Sequence, residues 1–158
     1  MEVVLDEWIG IKCQERIFNI SSEAELLSVL EKLDAAKHTL ANLSTGGSYL
    51  MVAGGDGKYV VTGEENDVLF NLTVETPPSP LVKLNAGGQY GLFEAKYIIH
   101  REHAFRCAVE YFKSGHIPAA EYRKVIIGLI FLRYISSAFE KRYTELVNDG
   151  EGFEDDRD

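Results

Sequence analysis

The chain has 158 residues, 46% of them hydrophobic, and its 25 acidic against 16 basic side chains give a formal charge of −9. A surface of this sign repels nucleic acid, so direct nucleic-acid binding is not expected, and it steers basic protein partners inward. The length fits one domain, or one domain with an appendage.

The opening MEVVLDEWIG carries early acids and no uninterrupted apolar core, so a secretion signal is not expected and the expected location is cytoplasmic. Two cysteines, Cys13 and Cys107, make no disulfide framework. Three glycosylation sequons, at Asn19, Asn42 and Asn71, are then coincidental.

In chain order, Val3 to Ile11 and Arg16 to Ile20 read as strands. Ser21 and Ser22 followed by Glu25 form a capping box before the apolar stripe of Leu26, Leu27, Leu30 and Leu33, which predicts a helix to about Ala36. Thr39 to Leu43 reads as a strand, with a turn over Thr45 to Ser48. The segment YLMVAGGDGKYVV, Tyr49 to Val61, is the strongest local signal: two apolar runs around Asp56-Gly57, a pair suited to the positive φ angles of a type I′ hairpin turn. Glu64 to Asp67 is a polar turn, and Val68 to Val74 alternates as a strand. Residues 76–80 and 86–91 carry loop chemistry, and Phe93 to Ile99 reads as a further strand.

Ala104, Ala108 and Phe112 share one face of a second helix over Arg101 to Ser114, which Gly115 and Pro118 end. The pattern predicts an α+β fold, an antiparallel sheet of about five to six strands packed with two helices, and a long C-terminal helix. From Ala119 the character changes. The run VIIGLIFLRYI is too short for a membrane span, since eleven helical residues reach only about 16 Å of a roughly 30 Å core. Such a helix needs apolar partners on several sides. Ile126, Ile130, Phe131, Tyr134 and Phe139 are the expected packing or oligomer-interface residues. A homodimer through this helix is one way to cover them.

The GGDGK segment fails as a phosphate loop, because Val52 stands where the first glycine belongs and Tyr59 follows Lys58 where serine or threonine is needed. His100, His103 and Cys107 fall at helical spacing, with Glu110 a turn on, but three ligands from one helix do not close a structural zinc site. Cys107 as a nucleophile has no marked third partner. No catalytic residue, cofactor or metal is expected. Trp8 beside Asp6 and Glu7, with Glu64, Glu65 and Asp67, is the candidate acidic-aromatic binding face.

Three stretches, SSEAELLSVLEKL, YLMVAGGDGKYVV and HREHAFRCAVEYFKSGHIP, give residues 1–118 a resemblance to the first-numbered family of immunity proteins in bacterial polymorphic-toxin systems. That family closes with an Ala-rich helix, an aromatic, a glycine and a proline leading to tryptophan. Ala104, Ala108, Phe112, Gly115 and Pro118 match, whereas Tyr122 is the nearest aromatic where the tryptophan belongs. The resemblance implies a stoichiometric inhibitor that covers the active cleft of a toxin domain, often a nuclease or nucleic-acid deaminase. Asp56, Glu64, Glu65, Asp67 and Trp8 are then the toxin-binding residues to expect.

Residues 119–158 resemble the N-terminal helical region of the methyltransferase subunit of type I restriction–modification enzymes, the likeness running from Tyr122 to Leu146. Methylation in that family needs a glycine-rich S-adenosylmethionine loop and an Asn-Pro-Pro-aromatic motif. Here Pro77-Pro78 follows Thr76 and precedes Ser79, so no methyltransferase activity is expected. The alternative function is an accessory of a restriction system that docks through this segment. The two resemblances place a domain boundary between residues 118 and 119.

Overall fold

The computed structural model describes residues 1–118 and 122–124. Its strands are β1 (Glu2–Ile9), β2 (Lys12–Asn19), β3 (Leu40–Thr45), β4 (Ser48–Gly55), β5 (Lys58–Glu65), β6 (Val68–Leu72), β7 (Val82–Ala86), β8 (Gln89–Phe93), β9 (Ile99–His100) and β10 (Tyr122–Lys124). The helices are α1 (Glu23–Leu30) and α2 (Arg101–Ser114). The main sheet runs β10-β6-β5-β4-β3-β1-β2, with β9 pairing on β5 and β7–β8 forming a separate ribbon. Every described pairing is antiparallel. Most neighbours in the sheet are also neighbours in sequence, so two-residue turns build much of it. Asp56-Gly57 joins β4 to β5 with φ of 50° and 78°, as a type I′ turn requires. Asn66-Asp67 repeats the geometry between β5 and β6, at φ of 52° and 60°, using residues that tolerate the left-handed region.

One face of the sheet is covered by the helices. Val3 and Leu5, Ala41 and Leu43, Leu50 and Val52, Tyr59 and Val61 point into it at alternate positions. They meet Leu26, Val29 and Leu30 of α1 and Ala104, Ala108 and Tyr111 of α2. Small alanines let α2 lie close to the strands, and full burial of a leucine contributes about 1.5–3 kcal/mol. Ser22 caps α1 by accepting from the Glu25 amide, while the Glu25 carboxylate reaches back to the Ser21 amide. Gly115 ends α2 at φ 71°, its N–H donating to Tyr111 O.

Several expectations change. α1 ends at Leu30 rather than near Ala36, because the chain tightens into i→i+3 bonds from Lys32 to Val29 and from Leu33 to Leu30. Asp34 then captures the amides of Ala36, Lys37 and His38 on Oδ1, which turns the chain toward β3. β1 stops at Ile9 because Gly10, at φ 64°, opens a tight turn, so β2 starts at Lys12 and not at Arg16. Residues 86–91 are not a loop but the turn and second strand of the β7–β8 ribbon. Residues 93–99 divide into the end of β8, a short 3-10 turn at Ala95–Tyr97 and β9. The main sheet has eight described strands against the five or six expected, and β7–β8 add a separate ribbon.

The described part of one compact unit spans Met1–Lys124, so Tyr122–Lys124, the start of the tail-like segment, forms a strand on β6. The remainder of the expected C-terminal helix lies outside the described residues, as do Ile126, Ile130, Phe131, Tyr134 and Phe139. Among the described residues no helix is long and apolar enough to cross a membrane.

Candidate protein-binding surface

The sheet has two chemically different ends, and β5 connects them. Its eight residues span roughly 25 Å, with Asp56 just before its start and Asp67 just beyond its end. At the Asp67 end, one register row runs Glu2, Ser44, Tyr49, Glu64 and Leu69 across five strands. This row lies on the face away from the helices, the open face. Tyr49 donates its hydroxyl to Glu64 Oε2 at 2.9 Å. Glu65, on the other face, contacts the His116 imidazole, and its second oxygen accepts from the Ile117 amide at 3.4 Å. Asp67 is exposed in the turn.

Beside this row a shallow groove of about 600 Å³ is lined by Glu2, Asn42, Ser44, Ser48 and Tyr49. Asn42 Oδ1 is buried there with no partner among the described residues. Ser48 Oγ shares a 2.8 Å hydrogen bond with the Tyr111 hydroxyl, and burial pushes that phenol's pKa up. The groove is rich in acceptors and flanked by carboxylates, which suits cationic side chains.

The opposite end is saturated internally. Asp6, 7% exposed, accepts from four donors: the Thr39 amide (2.6 Å), the Leu40 amide (2.9 Å), the Thr39 hydroxyl (2.5 Å) and the Trp8 indole N–H (2.7 Å). Thr39 Oγ1 in turn accepts from the Gly88 amide at 2.8 Å, so the tip of the β7–β8 ribbon is tied to the same group. Only glycine fits at 88, since a Cβ there would lie 2.0 Å from Trp8 Cζ2. Glu7 is buried between Arg16 and Lys37, and those two cations hold its carboxyl down at about 2.

The candidate face read from the sequence is therefore divided. Glu64, Glu65 and Asp67 come together at one end. Asp56 is exposed at the other, and Trp8 is half-buried in a structural hub rather than standing free as an anchor. Glu2 and Tyr49 join the acidic end without having been singled out. For Tyr49 the signal existed: a hairpin centred on Asp56-Gly57 sets it opposite Glu64. His100 and His103 are exposed, whereas Cys107 is in the core at 1% exposure, so the three do not share a surface.

No known protein family matches this chain, and neither does a curated protein or a solved structure.

Proposed function

We propose that this protein is a non-enzymatic immunity protein that binds a basic toxin domain, of the nuclease or deaminase class, in the cytoplasm and masks its active cleft. The observation that carries the reading is the gathering of Glu2, Glu64, Glu65 and Asp67 at one end of the sheet, where Glu2 also lines an acceptor-rich groove. A domain that acts on nucleic acid presents a basic cleft, and an acidic surface of this kind raises the rate and selectivity of docking there. The resemblance of residues 1–118 to an immunity family points the same way. Docking on a restriction system through a C-terminal helix is the second reading; of that segment, Tyr122–Lys124 pairs with β6.

Affinity capture of the full chain from its native cells, followed by mass spectrometry, tests this. The expected catch is a large protein ending in a small basic domain whose activity the chain abolishes at one-to-one stoichiometry. Recovery of restriction-system subunits in place of such a domain overturns the proposal.

A further inference from the structure

We propose that β2 is a docking edge, to which an extended segment of a partner protein adds as a further strand of the sheet. Three observations carry this, independently of the acidic end.

The first is the direction of the free backbone groups. Ile20 N–H donates to Met1 O, and the Met1 nitrogen donates to Ile20 O, which sets the phase of the β1–β2 ladder. Bonded pairs then recur at every second residue, at Val3–Phe18, Leu5–Arg16 and Glu7–Gln14. Consistently, the Trp8 amide turns the other way and donates to Lys37 O. The N–H and C=O groups of Cys13, Glu15 and Ile17 therefore point outward. β2 ends the sheet path, so no described strand receives them.

The second is shape. Pairing with β1 is continuous from Glu2–Asn19 to Ile9–Lys12, without a bulge to twist the edge away. Ile17 is 62% exposed on the open face, and Ile9 and Ile11 are 58% and 95% exposed at the hairpin tip. Free edge groups flanked by exposed isoleucines are a template for strand addition.

The third decides between a second copy and a different protein. Two copies pairing edge to edge about a two-fold axis keep residues of one face together, so the axis passes through a residue and its own copy. The two registers that pair nearly the whole of β2 centre on Glu15 or on Arg16. One sets carboxylate against carboxylate; the other sets guanidinium against guanidinium, a repulsion that the bond of each Arg16 to its own Glu7 softens without removing. The edge thus disfavours its own copy. A partner strand with a basic residue opposite Glu15 and apolar residues opposite Cys13 and Ile17 meets neither obstacle.

The probe is a blocked heptapeptide of alternating threonines, with valine, lysine and valine at its second, fourth and sixth positions. Added at about 1 mM to the ¹⁵N-labelled full chain, it is expected to slow hydrogen exchange at the Cys13, Glu15 and Ile17 amides about fivefold. A peptide N-methylated at the amides facing β2 should give no protection. Glu15→Pro, which removes an outward N–H and no β1–β2 bond, should abolish the effect while amides of the central strands keep their rates. Should that variant fail to fold, the N-methylated peptide still decides. Unchanged exchange at these three amides, protection confined to another part of the chain, equal protection by the N-methylated peptide, or amides already protected in the free chain would each overturn the proposal. Protection that rises with protein concentration alone would assign the edge to a second copy and overturn it as well.

Discussion

Replacing Asp6 by alanine removes the acceptor for four donors at once. Thr39 is completely buried, so its amide and hydroxyl lose their acceptor where water cannot replace it, whereas the half-exposed Trp8 indole can turn to solvent. An unsatisfied buried donor costs about 1–3 kcal/mol, and breaking a buried charged network costs about 3–5 kcal/mol as a whole. The expected loss is about 4 kcal/mol, a large share of the roughly 5–15 kcal/mol that holds a domain together. At about 2–4 °C per kcal/mol the melting temperature should fall by roughly 10 °C. Asp6→Asn keeps one oxygen for the two backbone amides but turns an NH₂ toward the Thr39 hydroxyl and the indole, so about half the loss is expected. Trp8 is the only tryptophan, so its fluorescence in urea titrations reports this site directly, alongside circular dichroism of the whole. A loss below about 1 kcal/mol for Asp6→Ala would refute the claim that these donors depend on this carboxylate.

Gly88→Ala forces a Cβ into the Trp8 ring and should cost about 2–4 kcal/mol, with a red shift in tryptophan emission as the ribbon lifts. Gly87→Ala, at φ 63° but with open space around its Cβ, should cost only about 1 kcal/mol and leave the emission unchanged. The carboxyl of Glu7 is held at about 2, below its ordinary 4.5, so its contribution to stability is complete above pH 4.5 and lost as pH falls toward 2. Glu7→Gln should therefore flatten the acid limb of stability in that window, as read by urea titrations at successive pH values. Reversing Glu64, Glu65 and Asp67 to lysine should slow association with the captured toxin domain about tenfold at low salt, with less effect at high salt. Asp56→Lys, at the far end of β5, should change the rate much less; surface plasmon resonance separates the two.

The fold was legible wherever short-range rules sufficed. The β4–β5 hairpin follows from Asp56-Gly57, and α2 follows from its alanine face and from Gly115. The β7–β8 ribbon was hidden because Gly87 and Gly88, with Gly91 close by and after a proline-rich stretch, resemble a loop, although they sit between two pairing strands. The short α1 was hidden for another reason. Its apolar spacing continues to Leu33, and only the Asp34 turn ends the α-helical bonding. The role of Trp8 was beyond local reading altogether, since Thr39 and Gly88, which fix its surroundings, are far along the chain.

Net charge overstates what a partner meets, and the hydrogen bonds show by how much. Asp6 and Glu7 count toward the acidic total, yet one is enclosed by four donors and the other by two cations. Asp6 offers no lone pair to an incoming lysine without giving up an internal bond, and the charge of Glu7 is already matched by its two cations. Glu2 and Asp67 have no such enclosure: both are exposed, at the end where Tyr49 and His116 orient Glu64 and Glu65. The saturated end therefore holds β1, β3 and the β7–β8 ribbon in register, while the acidic row is held by its own strand pairs and by the Tyr49–Glu64 bond. If so, Asp6→Asn should leave the charge-dependent association rate nearly intact in the folded fraction, because the hub and the acidic row lie at opposite ends of the same strands. A rate that fell in step with stability would mean that the acidic end needs the hub for its shape as well as for its foldedness.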